Sequence, residues 1–188
     1  MVSVLIGLGD GFEEIEAFAA IDILRRAKFN VTIAGVTETV TSARDITIRC
    51  DCTLDEALGR SFDAVAFPGG MGQAKAIHTS APARALAEKA LSRDKVLAGI
   101  CATPGVALAP WGVMRGRKAT CYPGCEGTFA AGGVEYVTET VVVDRTQGKG
   151  TLVTSRGPGT AMAWAYAVVS AIEGSEAHAD QLKKGMLF

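Results

Sequence analysis

The chain has 188 residues, of which 48% are hydrophobic and 21% charged, and 19 basic residues against 20 acidic ones give a net charge of −1. This length and balance are typical of one globular domain, so we expect a single domain over residues 1–188. No run of like charge indicates a nucleic-acid or membrane surface, and neither a signal peptide nor a membrane-spanning run is visible, so the sequence predicts a cytoplasmic protein.

The first 35 residues predict a strand, a helix and a second strand, at 2–7, 13–27 and 30–35. This order implies a right-handed βαβ unit and therefore a parallel sheet with helices on its faces. Basic residues at the end of the helix complement its dipole. The predicted apolar stripe of this helix consists of Ile15, Phe18, Ala19, Ile23 and Leu24.

The rest of the chain continues the α/β pattern. Residues 39–52 alternate only weakly, which predicts an edge strand or an excursion from the sheet. Further strands are predicted at 62–67, around Val96 to Ile100, and at 119–121, 135–144 and 151–155. Further helices are predicted at 80–92 with Ser80 as N-cap, after Cys101, and at 160–172 and 176–184, with a turn at 147–150.

Cys101 stands where a buried strand ends and a helix with Pro104 in its first turn begins. The pattern Gly99-x-Cys101-x-Thr103 is close to a nucleophile elbow, with Thr in place of the usual Gly. A helix N-terminus next to the sulfur predicts a thiol pKa below the ordinary value of about 8.5. The alternative is a buried, inert core cysteine, since free Cys is among the most buried residue types.

Four loops should meet Cys101 at the carboxyl edge of the sheet: residues 9–16, 68–72, 101–103 and 156–160. The backbone N–H groups of Gly70 and Ala102 are candidates for stabilising an oxyanion there. Glu16 has apolar neighbours and is expected to turn inward, where burial raises the pKa of its carboxyl. A neutral Glu16 can hydrogen-bond to a thiolate and move protons, whereas Glu13 and Glu14 are expected to be solvated acids that complement the helix dipole.

Other motifs carry weaker predictions. The odd number of cysteines, without a secretion signal, predicts reduced thiols rather than disulfides. Their spacings do not match common zinc sites, so we expect no metal. The sequence Gly7-x-Gly9-x-Gly11 is a poor dinucleotide motif, because Phe12 replaces the third glycine. His78 is expected near a helix entry and His178 on an exposed terminal helix.

Four motifs resemble one protein family and occur in the family's order over nearly the whole chain. They are Asp10-Gly-Phe-Glu-Glu-Ile-Glu16, Pro68-Gly-Gly70, Gly99-Ile-Cys-Ala-Thr-Pro104 and Thr154-Ser-Arg-Gly-Pro-Gly-Thr160. The chain resembles the ThiJ/PfpI superfamily, in particular the branch that contains the Parkinson-disease-linked protein deglycase. The resemblance implies a flavodoxin-like three-layer α/β sandwich, a mostly parallel sheet with helices on both faces.

The resemblance also implies roles for particular residues. Cys101 matches the family's reactive, oxidation-prone nucleophile, and Glu16 matches the protonated glutamate that hydrogen-bonds to it. Gly70 and Ala102 match its oxyanion donors. The resemblance further implies a homodimer with Arg44 and Arg156 near the interface, and activity on small aldehydes or glycation adducts without a cofactor.

Two departures from relatives restrict the chemistry. Ala102 stands where protease relatives have His, so a Cys-His protease is not expected. Tyr122 stands where some relatives have His; because a phenol titrates near 10, it is at most a hydrogen-bond donor, and proton transfer falls on Glu16. The sequence thus predicts a cofactor-free glyoxalase or deglycase that produces 2-hydroxy acids, with redox sensing at the same cysteine; the alternative is a non-enzymatic redox sensor or redox-regulated chaperone.

Overall fold

A computed structural model describes residues 1–146 and 150–188, so most of the predicted turn at 147–150 lies outside the described residues. The strands are β1 (Ser3–Leu8), β2 (Asn30–Gly35), β3 (Thr39–Thr41), β4 (Thr47–Arg49), β5 (Cys52–Thr53), β6 (Ala64–Phe67), β7 (Val96–Ile100), β8 (Lys118–Ala119), β9 (Glu135–Tyr136), β10 (Val141–Asp144) and β11 (Thr151–Ser155). The α-helices are α1 (Glu14–Arg26), α2 (Leu54–Ala57), α3 (Met71–Thr79), α4 (Ala81–Ser92), α5 (Phe129–Gly132), α6 (Ala161–Glu173) and α7 (Ala177–Gly185). A five-residue π-helix, the elbow helix (Pro104–Leu108), follows β7.

The central sheet has seven strands in the order β10-β11-β7-β6-β1-β2-β5. All neighbours are parallel except β10, which runs antiparallel to β11 at one edge. The predicted α/β fold with a mostly parallel sheet is therefore confirmed. Since the strand order reverses between β1 and β6, a crevice opens there at the carboxyl ends of the strands, where parallel sheets place their sites.

Alternation along β1 shows how the three layers form. Val4, Ile6 and Leu8 point into one core, which α1, α6 and α7 cover. Leu5 points to the opposite core, which includes side chains of α4 and the elbow helix. Both faces of β1 are buried, as expected of a parallel strand covered by helices on either side.

The α1 helix begins one residue later than predicted, with Glu13 as its N-cap. Ile23 and Leu24 are buried as predicted, but the prediction is wrong for Ile15 and Phe18, which are 59% and 38% exposed. The buried face instead includes Glu16, Ala17 and Ala20. The buried face of α1 therefore begins with Glu16, whereas hydrophobicity alone predicted that Ile15 would be buried.

Residues 39–52 contain a separate antiparallel ribbon of β3 and β4, so the predicted excursion from the sheet is confirmed. The glycine-rich segment after β6 leads at once into α3, a helix that the sequence did not predict, because Gly70-Met71-Gly72 is typical of a loop. His78 consequently lies in the last turn of α3, so its expected place near a helix entry is wrong. Within the described residues, no helix is both long and apolar enough to cross a bilayer.

A buried ion pair joins the edge of the sheet to the small β8–β9 sheet. Arg117 and Asp144 are each 5% exposed, and Arg117 Nη1 lies 3.6 Å from Asp144 Oδ1. The same guanidinium nitrogen donates to the carbonyl oxygens of Asp144 and Gly150, at 3.2 and 3.1 Å. Asp144 Oδ2 accepts the Lys118 N–H at 2.9 Å, so one carboxylate stabilises both β8 and β10.

We expect Asp144→Asn to lower the free energy of unfolding by about 2 to 3 kcal/mol, because it removes the charge opposite a buried guanidinium. Glu135→Gln is the matched control: the Lys118–Glu135 pair is 3.3 Å long, but its side chains are 59% and 61% exposed. That substitution should cost about 0.5 kcal/mol or less. Urea unfolding of the two variants measures the difference, and equal effects would contradict a structural role for the buried pair.

Candidate active site

Cys101 follows β7 directly and has a left-handed backbone, with φ of +63°. This conformation is uncommon for a residue with a side chain and costs about 1 to 3 kcal/mol. Two hydrogen bonds hold it: the Cys101 N–H donates to Ser155 O at 3.0 Å, and its carbonyl oxygen accepts the Tyr122 N–H at 2.8 Å. The sharp turn aims the side chain into the crevice, and Cys101 remains 8% exposed. The predicted elbow is therefore present in the fold.

Glu16 lies in the first turn of α1 and is fully buried, as the sequence predicted. Its Oε2 accepts the Gly69 N–H at 2.6 Å, whereas its Oε1 is buried without a hydrogen-bond partner. Burial raises the pKa of the Glu16 carboxyl to about 7, although the Gly69 N–H and the nearby Cys101 thiol both act to lower it. A proton on Glu16 is therefore available at neutral pH.

Gly69 and Gly70 form a backbone strap between Cys101 and Glu16. A Cβ on Gly69 would collide with Cys101 Cβ and lie 2.6 Å from Glu16 Oε2, so only glycine fits. Gly70 has a φ of +97°, a conformation that glycine adopts without strain. The N–H groups of Gly70 and Ala102 lie beside the Cys101 sulfur. The structure thus brings together all four residues at the centre of the predicted site.

The prediction of a lowered thiol pKa is wrong. Burial, followed by the charge of Glu16, raises the pKa of Cys101 to about 12, against the lowering effect of the Gly70 and Ala102 N–H groups. Two structural reasons account for this. The sulfur is more enclosed than the sequence implied, and the elbow helix has only five residues, so its dipole is small.

Cys101 and Glu16 therefore titrate as a coupled pair rather than as two separate groups. The pair loses one proton near pH 7 and the second near pH 12, so a single proton is shared between them over the intervening range. Placing it on Glu16 Oε1 gives that oxygen the sulfur as a partner and leaves a thiolate that accepts two N–H groups. Either placement of the proton gives Glu16 Oε1 the sulfur as its partner, and the thiolate with a neutral glutamic acid is the nucleophilic form.

Sequence reasoning missed two residues that hold the strap in place. Gln73 is fully buried; its Nε2 donates to Pro68 O at 2.6 Å, and its Oε1 accepts the Gly9 N–H at 3.1 Å. Thr103 Oγ1 donates to the same Pro68 carbonyl at 2.7 Å. The only available signal was their position, each within three residues of a predicted site residue. They orient the backbone rather than contact the sulfur.

The first acids of α1 are not the solvated pair that was expected. Glu13 is 7% exposed, and its Oε2 caps the helix by accepting the Glu16 N–H at 2.9 Å. Glu14 accepts the Ser42 hydroxyl at 2.5 Å and the Arg44 N–H at 2.6 Å. The exposed Arg44 side chain lies 3.9 Å from Glu13 and 3.7 Å from Glu14. The Arg44 side chain thus lies at the N-terminal end of α1, beside Glu13 and Glu14.

Tyr122 and Arg156 line an open cavity of about 250 Å³ next to the elbow. The Tyr122 ring is 49% exposed and packs on Gly157. Arg156 Nε is buried without a hydrogen-bond partner, and the Arg156 charge lowers the pKa of Cys121, although burial raises that pKa overall. The expected homodimer with Arg44 and Arg156 at its interface concerns a second copy of the chain and stays a prediction.

Comparisons with known proteins find relatives that match most of this chain. The protein dj-1beta of Drosophila melanogaster is 37% identical over 187 residues, which cover 98% of this chain and 96% of the relative. Its crystal structure has a TM-score of 0.90 at 38% identity, covering 99% of this chain and 97% of that one. The deglycase PH1704 of Pyrococcus horikoshii is 33% identical over 164 residues, covering 87% of this chain and 95% of the relative.

One relative is much longer. The protein DJ-1 homolog B of Arabidopsis thaliana is 37% identical over 176 residues, and the match covers 92% of this chain but only 38% of the relative. This chain therefore spans less than half the length of that protein. The DJ-1/PfpI family model matches residues 2–171, which include the strap, the elbow and both members of the Cys101–Glu16 pair. With its flavodoxin-like sheet and its cysteine at the sheet's carboxyl edge, the chain belongs to the DJ-1/PfpI family.

Proposed function

We propose that this protein is a cysteine-dependent, cofactor-free glyoxalase or deglycase that converts 2-oxoaldehydes or early glycation adducts into 2-hydroxy acids. The observation that carries the proposal is the fully buried Glu16 carboxyl next to Cys101: both side chains lie against Gly69, and Glu16 Oε1 has no hydrogen-bond partner. The printed name of the Pyrococcus relative, a deglycase, points in the same direction.

The first step makes a covalent bond to sulfur. With the shared proton on Glu16, the Cys101 thiolate attacks the aldehyde carbon of a 2-oxoaldehyde, and the carbonyl electron pair moves to oxygen. The N–H groups of Gly70 and Ala102 lie close enough to the sulfur to stabilise the new oxyanion. Glu16 Oε1, which has no other hydrogen bond, supplies the proton that neutralises it.

The second step moves a proton between two carbons. Glu16, now ionised, takes the proton from the former aldehyde carbon and returns it to the neighbouring carbon. The hydroxyl proton of the first carbon passes to the neighbouring oxygen, so the neighbouring carbonyl becomes an alcohol. The first carbon becomes a thioester of Cys101, so one carbon is oxidised while the other is reduced and no external electron carrier is needed. Water then hydrolyses the thioester, which releases the 2-hydroxy acid and restores the thiol.

We expect Cys101→Ser to lower the rate of lactate formation from methylglyoxal about a thousandfold or more in the absence of glutathione, because the nucleophile is lost. Cys52→Ser is the matched control and should retain activity, since Cys52 lies on the edge strand β5. Circular dichroism checks that both variants fold. Normal turnover by Cys101→Ser would overturn the proposed mechanism.

The proton pair predicts a distinctive pH profile. Alkylation of Cys101 by iodoacetamide should rise with pH up to about 7, where the pair loses its first proton, and then stay level until the second proton leaves near 12. In Glu16→Gln the step near 7 should disappear, and alkylation should rise at alkaline pH as for an isolated buried thiol.

The matched control for this profile is Glu14→Gln, which removes a carboxylate from the same helix turn but not from the sulfur. In this variant, alkylation of Cys101 should still rise with pH up to about 7 and then stay level. Peptide mass spectrometry distinguishes Cys101 from the other thiols. A profile without a step in the unmodified protein would contradict the sharing of one proton.

A second candidate function is redox sensing at the same sulfur. Two molecules of hydrogen peroxide can each transfer one oxygen atom to the Cys101 thiolate and leave as water, which gives a sulfinate. The donors that surround the thiolate, from Gly70, Ala102 and Glu16, are placed to hydrogen-bond to sulfinate oxygens as well.

Selective oxidation tests this second function. After mild peroxide treatment, mass spectrometry should show two added oxygen atoms on Cys101, while the buried Cys50 and Cys121 remain unmodified. Neither of those two thiols lies at the elbow, where the Glu16 carboxyl and the N–H groups of Gly70 and Ala102 surround Cys101, and Cys121 is fully buried. Uniform oxidation of all five thiols would contradict a sensor role.

A further inference from the structure

A second cavity lies at the opposite edge of the sheet from Cys101. Lys95 directly precedes β7, whereas Cys101 directly follows it. Five strand residues of about 3.3 Å each therefore separate the two places by roughly 17 Å. The cavity has a volume of about 70 Å³, and it lies between α4 and the segment before β6. It shares no lining residue with the candidate active site.

The floor of this cavity is apolar. Phe62, Val65 and Leu86 line it and are 7%, 2% and 1% exposed. A water molecule needs about 10 to 15 Å³ of such space, so the cavity is large enough for an apolar group of roughly five or six heavy atoms. No polar side chain of the floor is available to satisfy water, which makes an apolar occupant favourable.

The charged residues at the rim of the cavity are all cationic, and Ser61 also lines the cavity. Its charged lining residues are Arg60, Lys89, Arg93 and Lys95. In a chain whose net charge is −1, this concentration of positive charge is local. Lys95 pairs with Asp63 at 2.8 Å, but within residues 1–146 and 150–188 no carboxylate forms an ion pair with the other three.

Neutral groups position these three cations without neutralising them. Lys89 Nζ donates to the carbonyl oxygens of Leu58 and Arg60 at 3.0 and 2.6 Å. Arg60 donates to Thr32 Oγ1 at 2.9 Å, and its guanidinium carbon lies 5.2 Å from the centre of the Phe62 ring. Arg93 donates to Ser61 Oγ at 3.1 Å. The side chains are thus held in place while their charges remain available.

We propose that this cavity binds a small organic anion, with an apolar body on Phe62, Val65 and Leu86 and a carboxylate or phosphate between Arg60 and Arg93. An apolar floor with a few convergent polar groups is the usual form of a small-molecule site. Guanidinium groups suit both kinds of anion, because their planar N–H donors match carboxylate and phosphate oxygens. The proposal is independent of the chemistry at Cys101.

Titration of the ¹⁵N-labelled protein with four probes tests this proposal. Benzoate and phenyl phosphate should shift the amide signals of Phe62 and Ala90 in a saturable manner, and their relative affinities distinguish a carboxylate site from a phosphate site. Benzyl alcohol lacks the charge and acetate lacks the ring, so each should bind at least about tenfold more weakly than benzoate or phenyl phosphate. Equal shifts with all four probes, or shifts spread over the surface, would overturn the proposal.

Two variants locate the site. Arg93→Gln should weaken benzoate binding about tenfold, because it removes a charge-assisted hydrogen bond. Arg84→Gln is the matched control, since Arg84 lies on the same helix but pairs with Glu88 and does not line the cavity. Ala90→Leu, which fills the cavity, should abolish binding. Unchanged affinity in Arg93→Gln would contradict the site, and unchanged turnover of methylglyoxal in that variant separates it from the active site.

Discussion

The candidate site depends on a thiol and a carboxyl group that are buried side by side, where two negative charges cannot both be held at low cost. Either group alone would be costly to ionise at this depth. Together they need to hold only one negative charge, and the backbone offers donors to both ends: Gly69 to Glu16, and Gly70 with Ala102 to the sulfur. These backbone donors stabilise a negative charge at either end of the pair.

The scaffold makes this pairing possible by bringing three strand ends to one crevice. Glu16 follows β1, the strap follows β6 and Cys101 follows β7, and the sheet order reverses between β1 and β6. The two glycines of the strap let the backbone pass between the acid and the sulfur, where any side chain would collide. Gln73 and Thr103 both donate to the Pro68 carbonyl oxygen, and these two hydrogen bonds fix the position of the strap that follows Pro68. Preorganisation of this kind is what gives backbone donors their effect in catalysis.

Much of this arrangement could be predicted from the sequence because it depends on local patterns. The strand before Cys101, the elbow and the inward turn of Glu16 all follow from a buried apolar run, a Gly–Pro boundary and apolar neighbours. The exposure of Ile15 and Phe18 did not follow, since the direction of a helix face is decided by what packs against it. The bonds of Glu14 to Ser42 and Arg44 did not follow either, because they join segments that are distant in sequence. The helix α3 was missed because the glycines required by the strap are also typical of loops. The predicted direction of the Cys101 pKa shift was wrong because the burial of the sulfur cannot be read from residue spacing.

The left-handed backbone of Cys101 limits which other nucleophiles this fold can carry. Serine has the same shape at Cβ and can occupy the position, but threonine has a second heavy atom on Cβ, and for such branched side chains a positive φ is a genuine outlier. An ancestral or engineered change of chemistry at this elbow therefore has very few side chains to choose from. Because its N–H and carbonyl oxygen bond to Ser155 and Tyr122, the backbone cannot easily relax to accept a branched replacement. The route from a thiol-based to a hydroxyl-based site in this architecture passes through serine alone.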